Sequence, residues 1–300
     1  MTVTLALIAT GLVAPYLLRR FDGRAPSTLV VAAQLGALAL VWVGLTVLGS
    51  NVVGLTHRFA EFCAIVPDGP SHGHTRPATA GTASVLAVML YRSLREAWRT
   101  ASASRRVRKQ LTTTSVATGA TDVSATRLGS VACTIGLLRP HIFVDHDAFR
   151  RLTAAQRAAV LEHERSHVRA RHGLIDLMAR SMAAGLTPLP GAATARREVR
   201  RHLEALADDH AAARTSCRTV AAAIVAAADA AAADVLPAPA LGTAGWSLWR
   251  VNRMLDPRPR RRTLGAAMAT LVAVAGAALA QTLVHMAVST HLIPIAFPVI

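Results

Sequence analysis

Glu162-His163-Glu164-Arg165-Ser166-His167 is the stretch that decides how this chain is read. Residues four apart share a face of an α-helix, so the imidazoles of His163 and His167 point the same way, with Glu164 beside the first. Neutral imidazole is a good zinc ligand, and a carboxylate one position on can reach a water at the metal as a general base. This HExxH spacing works only on a helix, and the flanking residues predict one. Thr153 followed by Gln156 is a capping box, and Ala154, Ala155, Ala158, Ala159 and Leu161 are good helix formers.

Two histidines in an Arg-rich helix could also be ordinary solvated side chains. Downstream, Glu204 and Asp208 lie four apart in another helix-like segment, again on one face. A catalytic zinc needs a third protein ligand, and its histidines are usually oriented by a hydrogen-bonded carboxylate. Glu204 suits the first task and Asp208 the second.

The 300 residues are 52% hydrophobic and only 17% charged, with mean hydropathy +0.38, too apolar for an ordinary soluble domain. Apolar runs at 3–18, 28–53, 78–91 and 264–288 are the expected membrane spans, the third extended by snorkelling of Arg92 and Arg95. Arg19, Arg20 and Arg24 follow the first run. The long segment 92–263 carries 28 basic against 14 acidic side chains, with clusters at 105–109 and 258–262. By the positive-inside rule these basic segments are cytoplasmic and both termini lie outside. The expectation is a multi-pass cell-membrane protein, mainly α, with four transmembrane helices: 1–91 holds three, 92–263 is a cytoplasmic α+β domain, and 264–300 is the fourth with a short external tail. The formal charge of +16 does not imply a nucleic-acid partner, because the basic clusters flank spans and no aromatic-interleaved or helix-turn-helix pattern accompanies them. Cys63, Cys133 and Cys217 are scattered, without metal or disulfide spacing. His72 and His74 read as a polar turn.

Within the large segment, 131–138 and 141–144 are β-prone runs around Arg139-Pro140, predicting a hairpin that either holds an extended substrate at a sheet edge or is structural. Asp176 and Arg180 interrupt the semi-apolar run up to Leu186, so it is expected as a helix against the core or the membrane face rather than a span. The Ala-rich run 219–235 is expected to be helical, and 242–255, with Trp246 and Trp249, to be an interfacial helix. His172, His202 and His210 are expected to be solvated or structural.

Taken together, His163-Glu164-xx-His167, Glu204-xxx-Asp208 beyond Pro188 and Pro190, the preceding Gly136-xx-Arg139-Pro140-His141-Ile142-Phe143-Val144, and three spans before with one after resemble the BlaR/MecR-type membrane metallopeptidases, metallopeptidase family 56. The resemblance implies a cytoplasmic gluzincin-like domain holding one Zn²⁺ through His163, His167 and Glu204, with Glu164 as base and Asp208 as the orienting carboxylate. It further implies a protein substrate, a cytoplasmic transcriptional repressor cleaved in signal transduction. Those sensors carry a penicillin-binding domain after the last span, whereas only 289–300 remain here, so β-lactam sensing is not expected. The alternatives are a membrane quality-control protease of the heat-shock type and a non-catalytic sensor or scaffold. A structural zinc is usually closed by four protein ligands. Three converging ones leave an open position and favour an enzyme.

Overall fold

The computed structural model describes residues 2–19, 26–65, 75–117, 122–128, 130–233 and 246–256. The His72–His74 turn, the basic cluster 258–262 and the expected span 264–288 lie outside them. The first two apolar runs form α1 (Thr2–Arg19) and α2 (Ser27–Ile65). These pack antiparallel: Gly44 approaches Ile8, and Gly11 approaches Ala37 and Val41. Among the described residues one segment, Ser27–Gly49 of α2, is long and apolar enough to cross a membrane. The expected third span is not a helix of its own but the start of α3 (Thr75–Thr114), which continues through the arginines. Its 14 residues at 78–91 rise only about 21 Å, short of a hydrocarbon core of about 30 Å.

A four-stranded sheet follows: β1 (Val116–Ala117), β2 (Val123–Thr126), β3 (Ala132–Ile135) and β4 (His141–Asp145), in the order β1-β2-β4-β3. The predicted hairpin is present, with β3 antiparallel to β4 and Cys133 opposite Phe143. Gly136 starts its return at φ 117°, where a Cβ would meet the Arg139 carbonyl oxygen at 2.6 Å, so only glycine fits. β2 runs parallel to β4, which leaves β3 as an outer strand.

Asp145 caps α4 (His146–Arg151), and the predicted capping box starts α5 (Ala154–Arg169), with Thr153 and Gln156 each bonded to the other's backbone. Leu161 and Val168 of α5 pack on Ile142 and Val144 of the sheet. The interrupted run after His167 becomes α6 (His172–Gly185), where Arg180 pairs with Asp176 at 3.0 Å. α7 (Ala192–Arg214) turns back, and α8 (Cys217–Ala233) takes up the Ala-rich run.

Two cores result. One joins Val31, Leu38 and Val41 of α2 with Met89 of α3, Ala179 and Ala183 of α6, and Ala195, Val199 and Leu203 of α7. The other joins Ala159, Ala211, Val220 and Ile224 to Met254 of α9 (Ser247–Leu255). Of the interfacial helix expected over 242–255, the described residues form α9, which packs Met254 into the second core and buries Arg250.

Candidate metal centre

The site is built where α5, α7 and α9 meet beneath β3. His163 and His167 bring their Nε2 atoms within 3.1 Å of each other. The Glu204 carboxylate of α7 lies 3.5 Å from the first and 3.8 Å from the second. One ligand atom from each of His163, His167 and Glu204 falls within 4.8 Å of the others, a separation that one ion could bridge. Two imidazole nitrogens and a carboxylate oxygen are a donor set zinc accepts.

The outward nitrogens are also occupied. Nδ1 of His163 faces Asp208 Oδ1 at 2.9 Å, which orients the ring as a carboxylate does behind a ligand histidine. Nδ1 of His167 faces Nδ1 of His172 at 2.9 Å. His172, expected to be solvated or structural, is 4% exposed and part of the cluster. It gets there because Arg171 turns the chain at φ 50°, ψ 43°, a left-handed conformation that is costly for a side-chain-bearing residue. Burial, then the charge of His167, pushes His172 down to about 3, so it is neutral.

Arg250 of α9 is a member that sequence reasoning missed. Its Nε and Nη2 donate to the two Asp208 oxygens at 2.8 and 2.6 Å, and its Nη1 lies 3.2 Å from Glu204 Oε2. Asp208 has no exposure at all. Burial alone would raise its pKa, yet the hydrogen bonds from Arg250 and His163 hold it below the usual carboxylate range. Glu204 is held low in the same way, by the His163 hydrogen bond and the nearby cations against the effect of burial. Burial pulls His163 down, but its bonds to Asp208 and Glu204 more than reverse this, to about 9.

Glu164 is buried, and Oε2 accepts from Thr134 Oγ1 of β3 at 2.6 Å, while the same hydroxyl also reaches the Glu164 carbonyl oxygen at 3.2 Å. Burial raises the Glu164 pKa, with His163 and Thr134 opposing. Thr134 was the second residue missed, although the predicted hairpin contained it. His202 and His210 stay outside: His202 stacks edge-on to Trp249, and His210 bonds Arg169 on the outer side of α5.

A helix carrying paired imidazoles, a second helix closing the set with a carboxylate, and a buried glutamate beside them define an HExxH metallopeptidase. The chain belongs to peptidase family M48, whose family model matches residues 97–291. No curated protein and no solved structure gives a significant match. The resemblance to family 56 is thus met at the level of a metallopeptidase, while the family assignment is M48.

Proposed function

We propose that this chain is a membrane-bound zinc endopeptidase in which His163, His167 and Glu204 hold one Zn²⁺, Glu164 is the base and Asp208 orients His163. The observation that carries this reading is the convergence of the three ligand atoms, with both outward imidazole nitrogens already bonded. When bound, the ion would polarise the scissile carbonyl and lower the pKa of water at the site. Glu164, made more basic by burial and steered by Thr134, takes the proton from the attacking water and returns it to the leaving amine. β3 lies on the outer edge of the sheet and would align an extended substrate by backbone hydrogen bonding.

Ser27–Gly49 supports the tether. In the full proposal segments 1–91 and 264–300 are membrane domains, the protease segment 92–263 is cytoplasmic, and both termini face outside. The substrate is a cytoplasmic regulator such as a transcriptional repressor, drawn to the basic protein surface by acidic segments. A quality-control role on membrane proteins is the second reading, favoured by the docking of the α6–α7 hairpin on α1 and α2. Proteomes of cells carrying the native chain and Glu164→Gln distinguish them. The variant should keep its zinc and lose about 10²- to 10⁴-fold in activity, and a soluble regulator should be cut only by the native chain. Accumulation of uncut membrane proteins in the variant selects the second reading. Equal cleavage by both chains refutes the enzymatic one.

A further inference from the structure

We infer that a basic pocket between α3 and the α6–α7 turn seats the phosphate of an anionic membrane phospholipid. This rests on the membrane-bound part of the proposed function and adds a ligand to it. The pocket, about 190 Å³, is lined by Arg92, Arg95, Glu96, Arg99, Ala184 and Thr187. Arg92, Arg95 and Arg99 follow one another at helical spacing, so three guanidinium groups meet one carboxylate on a single face of α3. Arg92 Nη1 is fixed by donation to the Thr187 carbonyl oxygen at 2.5 Å. Guanidinium presents a planar fork of donors that matches a phosphate.

The setting selects a lipid over a soluble anion. Before and beside these arginines α3 exposes Val85, Val88, Leu90, Tyr91, Leu94 and Trp98, each about half exposed or more. Such a stripe is costly in water and favourable against acyl chains, and Tyr and Trp beside Arg are the residues of a membrane–water boundary. The pocket's other wall, Ala184 and Thr187, belongs to a hairpin tip lodged among the apolar helices. Trp42 Nε1 of α2 donates to the Met182 carbonyl oxygen at 3.1 Å, and Tyr16 Oη of α1 accepts from Gly191 N at 3.0 Å. Further along α6 and α7, away from that tip, charged pairs take over: Asp176 with Arg180, and Glu198 with Arg19 of α1. The three arginines therefore stand where an apolar belt gives way to a charged one, the depth of a lipid headgroup. A free phosphate would leave the stripe bare, as would an acidic peptide.

The test uses the full chain in mild detergent, with phosphatidylglycerol retention followed by native mass spectrometry. One phosphatidylglycerol should remain bound to the native chain, with phosphatidylcholine held far more weakly. The double variant Arg95→Gln/Arg99→Gln should retain it at least about tenfold more weakly, as expected for losing two juxtamembrane cations. Arg105→Gln/Arg106→Gln, equally exposed on α3 but outside the pocket, should match the native chain. Equal weakening in both doubles, equal retention of phosphatidylcholine, or displacement by millimolar inorganic phosphate would each overturn the proposal. Alkaline carbonate extraction separates its failure from that of the reading beneath it. A chain washed off membranes overturns both, whereas a chain that stays but retains no phosphatidylglycerol overturns only the headgroup site.

Discussion

Asp208 of α7 and Gln34 of α2 are both completely enclosed, and their surroundings differ. Asp208 receives two hydrogen bonds from Arg250 and faces His163. Neither the side-chain oxygen nor the nitrogen of Gln34 has a hydrogen-bond partner among the described residues. Around the candidate metal centre the buried groups His163, Glu204, Asp208 and Arg250 are tolerated because they pair with one another. The helical region built on α1 and α2 is held together by apolar contact, and Gln34, enclosed within it, gains no hydrogen bond from the described residues. Buried polarity is thus stable where it is paired and a liability where it is not. The two regions meet along α6, which starts at His172 in the cluster and ends at Gly185 against α2 and α3.

Breaking the pairing should have the largest effect. Arg250→Met removes the cation that balances Asp208 and Glu204, and breaking a buried pair from one side costs about 3–5 kcal/mol. Thermal unfolding of the metal-free variant should show that loss, and saturating zinc should recover part of it by supplying positive charge at the same carboxylates. An unchanged melt without metal would mean that Arg250 is not the balancing charge.

The same pairing sets a pH dependence. In the metal-free chain His163 is held up to about 9 against an ordinary 6.5. Its contribution to stability is therefore complete below pH 6.5 and lost as pH rises through 9. His167, pushed by burial down to about 4, and His172, at about 3, act in the opposite direction. Their contribution is present above pH 6.5 and disappears as pH falls through those values. Zinc must displace the His163 Nε2 proton, so its apparent affinity should rise about tenfold per pH unit up to pH 9. Calorimetric titration in buffers of different ionisation enthalpy would measure the proton released. Flat affinity from pH 6.5 to 9 would contradict the paired state of His163.

Gly185 probes the junction. A Cβ there would collide with Ser93 Oγ, the Trp42 ring and the Met89 carbonyl oxygen, contacts by which α2, α3 and α6 close on one another. Gly185→Val should destabilise the chain by about 1–3 kcal/mol through overpacking, while zinc binding at 25 °C stays native because the centre lies at the opposite end of α6. Loss of zinc affinity in a folded variant would show that the two regions are coupled through that helix.

Spacing made part of this legible. Four-residue intervals put His163 with His167 and Glu204 with Asp208 on common faces, and the Thr153–Gln156 box fixed where α5 starts. The hairpin was readable from β-propensity around Arg139-Pro140. Arg250, Thr134 and His172 were not readable, because none shares a periodic face with the motif. Arg250 arrives from a helix 42 residues beyond Asp208, Thr134 from a strand 30 residues before Glu164, and His172 only through the left-handed turn at Arg171. The helix end beyond the expected span 78–91 was not readable either, because hydropathy falls at Arg92 while helix propensity does not, so α3 runs on.

The smallest expected effect tests the other half of the comparison. Gln34 sits within the apolar stretch Ser27–Gly49, beside Ala33, Ala37 and Leu38, all buried. Leucine is close to glutamine in volume, so Gln34→Leu should fit with little repacking. It removes an amide with no partner among the described residues, whose burial costs about 1–3 kcal/mol, and part of that cost should return as stability, on the order of 1 kcal/mol. Denaturation of the detergent-solubilised chain should move to higher temperature, with peptide cleavage unchanged because Gln34 is on α2 while the metal centre is built from α5, α7 and α9. A destabilised Leu variant would mean that the Gln34 amide has a partner in the folded protein, and the contrast with Asp208 would then disappear.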